Sequence, residues 1–312
     1  MGIDVGTSAT KTAIFQDNGN MVSSSVAKYE LSQPCPGWAE QNPEDWWNAT
    51  VGSIRQAIAD AALLGVRPHD IEAIGLSGQM HGAVCLDAAG QVIRPAIIWC
   101  DQRSDAQCNW MRKHLGETNI TKWTGNPPLP NLTATKLLWL RDKEPFNYDR
   151  IAHVLLPKDY IRWMLTGDYA TDVSDASGTL LLDVRNRQWS SAMLESLDIP
   201  LNWLPTVFES TEVVGHITHN AASSTGIIEG TPVVAGAGDQ AASAIGSGVV
   251  KPGVVSCTIG TSGVVFASTE GMCLDSLGRL HSFCHAVPDM WHVMGVTQAA
   301  GGSLQWFRRT LS

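Results

Sequence analysis

Short apolar runs divided by turn residues open the chain. Ile3-Asp4-Val5, Thr10 to Phe15 and Met21 to Ala27 are β-prone, and Asp17-Asn18-Gly19-Asn20 between the last two is a strong hairpin signal. The pattern predicts an antiparallel meander of three strands. The period then changes. Trp47, Val51, Ile54 and Ile58 follow helical spacing behind Asn42-Pro43-Glu44-Asp45, where an Asn cap, a first-turn Pro and two acids suit a helix start. Ile71 to Leu76, Ala83 to Leu86 and Ala96 to Trp99 read as strands, and Asp101-Gln102-Arg103 as the opening of a polar helix. Helices are predicted over Thr133 to Arg141, behind Pro127-Pro128-Leu129-Pro130, and over Lys158 to Leu165, stopped near Gly167. Residues 171–183, rich in Asp, Ser, Thr and Gly, read as a loop that carries function. Thr231 to Ala235 enters a buried strand, and Gly236-Ala237-Gly238-Asp239-Gln240 turns into a small-residue helix, Ala241 to Ile245. Gly246, Gly248, Pro252 and Gly253 mark a boundary near 245–253, dividing the chain into domains 1–245 and 246–312. The second opens with strands at Val254 to Ile259 and Val264 to Ala267 and reaches a helix at Gln298 to Arg309. Strand and helix alternate, so the fold class is α/β.

One tripeptide occurs twice, each time between two β-prone runs. Gly6-Thr7-Ser8 follows the first strand, and Gly260-Thr261-Ser262 follows the strand that opens the second domain. Each predicts a tight hairpin whose glycine lets backbone N–H groups approach an anion closely. Two ordinary glycine turns would look the same. The reading adopted is two related halves, each offering a phosphate-binding hairpin to a cleft between them.

Other residues add chemistry to that cleft. Asp239, after a Gly-rich turn at a helix start, can accept a proton from a substrate hydroxyl; a plain N-cap Asp fits the position equally. Asp4 lies on a strand predicted to be buried, where an acid needs a partner, and a Mg²⁺ held through water beside nucleotide phosphates would be one. Lys11, on the next strand, would offset phosphate charge or be a solvated strand lysine. Gln79-Met80-His81 supplies an amide, an apolar surface and an imidazole, a set suited to a small polyol, although Met80 and His81 also serve as core filler. Trp99 and Trp38 could stack on a sugar face.

Composition narrows the class. The 312 residues carry a net charge of −9 and no Lys/Arg cluster, which excludes nucleic acid as the main partner. No apolar run reaches a membrane span and no signal segment opens the chain, so a cytoplasmic protein is expected. Seven cysteines form no CxxC pair and read as reduced thiols. His281 and His285, like His216 and His219, read as strand and loop histidines rather than as a metal site.

In order along the chain, several motifs resemble the FGGY family of carbohydrate kinases: Ile3-Asp4-Val5-Gly6-Thr7-Ser8, Gly37-Trp38-Ala39-Glu40-Gln41, Gly78-Gln79-Met80-His81-Gly82, Thr133-Ala134-Thr135-Lys136-Leu137-Leu138-Trp139-Leu140, Leu156-Pro157-Lys158-Asp159-Tyr160, Gly238-Asp239-Gln240-Ala241-Ala242 and Ile259-Gly260-Thr261-Ser262-Gly263. Gln79-Met80-His81 resembles the D-xylulose kinases of that family, whereas glycerol kinases carry an Arg-Glu pair there. The resemblance implies an actin-like, ribonuclease-H-like fold of two α/β domains closing on ATP and sugar. It implies Asp239 as proton acceptor, Gln79, Met80, His81, Trp99 and Gln240 around the ketose, both hairpins on the phosphates and Asp4 serving Mg²⁺. Gln240 departs from the Asn that many xylulose kinases place there. Implied partners are D-xylulose and ATP, and a homodimer is an assembly it allows. Family members run considerably longer, so the expectation is a complete first domain and a truncated second one lacking the nucleoside pocket.

Overall fold

The computed structural model describes every residue except Thr261, Ser276, Gln298 and Ser312. The predicted meander is present as β1 (Gly2–Val5), β2 (Ala9–Phe15) and β3 (Met21–Lys28), paired antiparallel. Two further strands join it: β4 (Gly75–Gly78) runs parallel to β1, and β5 (Ala237–Gly238) runs parallel to β4. The sheet order β5-β4-β1-β2-β3 is that of the ribonuclease-H-like fold implied above. The parallel trio ends in register. Val5 lies beside Gly78, and Gly78 beside Gly238, so the loops that follow all leave from one edge.

Helix α1 (Pro43–Ala62) covers one face of this sheet. The Asn42 side chain accepts from Glu44 N at 3.2 Å, as the cap signal predicted. The buried stripe differs from the expected one. Trp46, Thr50, Ser53, Ile54, Ala57 and Ala61 face the sheet, while Trp47, Val51 and Ile58 flank it. Small residues permit close approach, and hydroxyls satisfy one another there: Thr12 Oγ1 lies 2.8 Å from Ser53 Oγ, and Ser23 Oγ donates to Ala57 O at 2.7 Å. A reading of apolar periodicity alone misses Thr50 and Ser53. Ile3, Val5, Ile54, Ile74 and Leu76 share this core with Ile161 and Leu165 of α3 (Pro157–Thr166), which ends on Gly167. A second core gathers Leu132, Leu137, Leu138 and Leu140 around α2 (Thr133–Lys143).

Three expectations need correction. Residues 171–183 are no loop: the strand Ala170–Asp172 runs into them, Val173–Ala176 is a helical turn and Leu182–Asp183 a strand, and they are almost wholly buried. Their polar side chains bond inward, which composition cannot reveal. The strand expected from Ile71 begins at Gly75, because Pro68–Asp70 forms a 3-10 turn. Asp101-Gln102-Arg103 precedes its helix, which spans Asp105–His114. Asp101 is instead buried against Arg103 at 2.7 Å.

Beyond α4 (Asp239–Gly246) comes a second, wholly antiparallel sheet. Its strands are β6 (Val255–Ile259), β7 (Gly263–Thr269), β8 (His281–Cys284) and β9 (Trp291–Thr297), in the order β6-β7-β9-β8. β6 and β7 form the second predicted hairpin. Met80 from the first part packs with Val264, Phe266, Phe283 and Met294 of this sheet. Among the described residues, no helix is long and apolar enough to cross a membrane.

The α1 face is testable. Ile54→Ala should cost about 2–5 kcal/mol in urea unfolding, the range for truncating a packed aliphatic side chain, whereas Ile58→Ala on the flank should cost clearly less. Equal losses would contradict the assigned face.

Candidate active site

Between the two sheets lies a cavity of about 450 Å³. Thr7, Ser8, Met80, His81, Trp99, Asp239 and Gln240 line it from the first sheet's side and Ser262 from the second hairpin. Sequence reasoning thus named most of the wall. It missed Asn131, His281 and Met294, which also line it. Asn131 and Met294 stand in no motif with readable chemistry, and His281 reads from sequence only as a strand histidine; their place comes from the packing of the two sheets.

The first hairpin is held from beneath. Gln79 is buried, and its amide donates to Gly6 O at 3.2 Å and Gln41 Oε1 at 2.8 Å. Gln41 Nε2 donates to Thr7 O at 2.7 Å, and the Tyr29 hydroxyl to Gly6 O at 2.5 Å. Trp99 Nε1 donates to Thr7 Oγ1 at 2.8 Å. Gln79 therefore lies behind the hairpin rather than on the cavity wall. Trp38 also lies elsewhere, edge-on to Trp139 and beneath Arg103. Asp4 and Lys11 are opposite one another on β1 and β2 and both are exposed, so Asp4 is not the buried acid expected. Thr261, at the second tip, lies outside the described residues.

His81 is held in an uncommon geometry. Its backbone φ is 69°, which costs a non-glycine residue of order 1–3 kcal/mol unless the surroundings impose it. They do. Its carbonyl accepts from Thr133 Oγ1 at 3.1 Å and from Lys136 Nζ at 2.7 Å. Its Nδ1 lies 2.9 Å from Gly178 O, which requires the hydrogen on Nδ1 and leaves Nε2 as an acceptor. A Cβ on Gly178 would overlap the imidazole ring. Burial, with the Lys136 ammonium nearby, pushes His81 down to about 3, so the ring is neutral. Burial also lowers Lys136 to about 7; its second acceptor is Asn131 O at 2.8 Å.

Asp239 begins α4 at the carboxyl end of β5. Burial and the Asp4 carboxylate push it up to about 7, opposed by a hydrogen bond from Gln240 Nε2 at 3.2 Å to Oδ1. A carboxyl titrating there can take up a proton near neutral pH. Among the described residues, no group of three or more His, Cys, Asp or Glu is placed to hold a metal ion.

The sheet order and paired hairpins define the actin-like, ribonuclease-H-like class. The sequence pattern of the FGGY family of carbohydrate kinases, N-terminal domain, matches residues 1–246. The chain belongs to that family. It is 42% identical to the xylulose kinase of Escherichia coli (strain K12) over 306 residues, covering 98% of this chain and 62% of that protein. It is 30% identical to the gluconokinase of Bacillus subtilis (strain 168) over 310 residues, 99% of this chain and 59% of that protein. The crystal structure of xylulose kinase from Rhodospirillum rubrum superposes with a TM-score of 0.93 at 29% identity, covering 99% of this chain and 62% of that one. The chain therefore spans about three fifths of the length of these relatives.

The histidines of the cleft wall and of the second sheet make a pH prediction. His81, His281, His285 and His292 are all held below their ordinary value by burial, His281 at about 4. The unfolded chain protonates them below about pH 6.5 and the folded chain does not, so their contribution is present above that pH and lost as pH falls. Asp239, raised to about 7, takes up its proton over that range and acts in the opposite sense, as does the upward shift of Asp175. With His153, also lowered by burial, five histidines against two carboxyls leave the histidine sign. The midpoint of thermal unfolding should fall between pH 7 and pH 5; a rise over that interval would contradict the neutral assignments.

Proposed function

We propose that this chain serves the ATP-dependent phosphorylation of D-xylulose to D-xylulose 5-phosphate. One observation carries the sugar class: the cavity holds polar and apolar side chains and the acid Asp239, yet no Lys or Arg among its described lining residues. Lys136 is fully buried beneath it and committed to two carbonyls. A neutral ketose fits such a wall better than a sugar acid, whose carboxylate would face Asp239 without a cation. This favours the xylulose kinase relatives over the gluconokinase relative.

In this reading the ketose lies against Met80 and Trp99. His81 Nε2 accepts from a sugar hydroxyl, and Gln240 donates to or accepts from another. Asp239 Oδ accepts the proton of the terminal hydroxyl as that oxygen attacks the γ-phosphorus and the bond to the bridging oxygen of ADP breaks, ADP leaving with that electron pair, and a value near 7 suits that exchange. Hydroxyls at Thr7, Ser8 and Ser262 face the ATP phosphates, while Gly6 and Gly260 close the two tips by donating to Ala9 O at 3.0 Å and to Ser262 O at 2.8 Å. Transfer then depends on positioning and charge more than on covalent chemistry by the protein. Asp4 suits a Mg²⁺ held through water and phosphate oxygens: it is exposed, its charge raises Asp239, and the described residues gather no group of three or more His, Cys, Asp or Glu there that would hold the ion by side chains alone. Such a cation would neutralise phosphate charge. Lys11, opposite Asp4, would add positive charge nearby.

Two measurements test this. Asp239→Asn, in a protein spanning the length of the relatives, should lower kcat by about 10²–10⁴-fold while D-xylulose still binds, since an amide keeps the shape but takes no proton. An unchanged kcat would remove Asp239 as the base. In the 312-residue chain, D-xylulose should raise the melting temperature more than glycerol, gluconate or ribulose, because ligand affinity for the folded state adds to its stability. A larger shift with gluconate would move the assignment to a sugar acid.

A further inference from the structure

The turn that delivers Asp239 is fastened from behind by groups that the mechanism above does not use. Lys158, Asp159, Arg162, Asp172 and Asp175 are wholly buried in one cluster. Lys158 Nζ lies 2.6 Å from Asp159, 2.8 Å from Asp172 and 3.4 Å from Asp175, and Arg162 lies 3.0 Å from Asp159. Burying such ions costs several kcal/mol each, and apolar replacements are often as stable, so stability alone explains them poorly.

What the cluster holds is more informative. Arg162 donates to Ala235 O at 2.7 Å. Ser210 donates through Oγ to Asp172 at 2.8 Å, while its carbonyl accepts from Gly236 N at 3.0 Å. Ser174 Oγ donates to Asp172 Oδ2 at 2.5 Å and accepts from Gly238 N at 3.1 Å. Residues 235, 236 and 238 are thus each tied down immediately before Asp239. The same helix start braces the sugar loop: a Cβ on Gly82 would meet Pro157 at 2.5 Å, and one on Gly78 would meet Lys158 Cβ at 3.0 Å.

We propose that Ser174, oriented by Asp172 and Lys158, is the positioning residue for Asp239: its hydroxyl fixes the Gly238 amide and so aims the Asp239 carboxylate into the cleft. The proposal rests on the phosphorylation reading for what Asp239 does. The only hydrogen of the Ser174 hydroxyl is committed to a charged acceptor, so a lone pair is held toward Gly238 N–H. Ser210 makes the same bond to Asp172, but it holds the turn through its backbone carbonyl, which accepts from Gly236 N, and not through its hydroxyl. The groups facing Asp239 are the Asp4 carboxylate, the Gln240 amide and Asp175 from the cluster. Burial and its carboxylate neighbours push Asp175 well up, against the nearby Lys158 ammonium.

The test uses the 312-residue chain. Side-chain carboxyl carbon NMR follows the titration of Asp239, its resonance identified by loss in Asp239→Asn, and calorimetry follows D-xylulose binding. In Ser174→Ala the loosened turn admits water, and the Asp239 midpoint should fall from near 7 by about one pH unit or more. Ser210→Ala should leave it in place, and Ser174→Thr, which restores the hydroxyl, should return it. If Ser174→Ala does not fold, Ser174→Cys, whose thiol is a weak acceptor, takes its place with the same expectation. Equal midpoints in the Ser174 and Ser210 variants would overturn the positioning role. Absence of D-xylulose binding in the unmodified chain would instead sink the phosphorylation reading, while the comparison of midpoints would still decide whether Ser174 positions Asp239.

Discussion

The alignment of three parallel strand ends governs the rest of this molecule. Val5, Gly78 and Gly238 stand side by side, so Gly6-Thr7-Ser8, Gln79-Met80-His81 and Asp239-Gln240 all leave the sheet along one edge. Parallel strands expose their loops there, which is why α/β sheets place ligands at carboxyl ends. A shift of one residue in either pairing would turn these side chains to the other face. Two of the three in-register positions are glycines. Neither leaves room for a side chain: Gly78 abuts Lys158 and Val5, and Gly238 abuts Met80.

Holding that edge rigid carries a cost in buried polarity. Beneath the sugar loop, Lys136 has lost its water and gained two carbonyls. Behind Asp239, five ions share one interior cluster. An apolar interior would have been easier to build, yet it offers no directional bonds with which to hold a left-handed His81 or a glycine turn. The polar interior of α3 and residues 170–176 is the counterpart of the mobility that glycines would otherwise confer.

The second sheet meets the first part of the chain through several apolar contacts, one of which lies at the cleft itself. Met80 belongs to the sugar loop by sequence and to the second sheet's core by packing, against Val264, Phe266 and Phe283. Any rotation between the two sheets therefore passes through a residue of the proposed sugar site. Methionine suits such a place, because its unbranched, polarizable chain adapts to a changing gap. Polar links add to the junction: Asn126 exchanges hydrogen bonds with the backbone of Ser282, and Ser177 Oγ accepts from Cys284 N.

Local chemistry in the sequence determined the meander, the capped start of α1, both Gly-Thr-Ser hairpins and the strand–turn–helix carrying Asp239. Each of these depends on neighbours within a few residues: turn formers, a cap, an apolar period. The motif order also determined the family. Tertiary structure alone decided which side chains meet. It put Gln79 behind the hairpin, left Asp4 exposed, sent Trp38 away from the cleft and brought Asn131 and His281 into it. It also turned residues 171–183, which composition reads as a loop that carries function, into buried structure behind Asp239. The reason is physical. A Ser or Asp is equally at home in water or in a satisfied interior, and its partners lie far off in sequence: Ser174 finds Gly238, and Asp172 finds Ser210. Such pairings exist only once the parallel strands have brought the segments together.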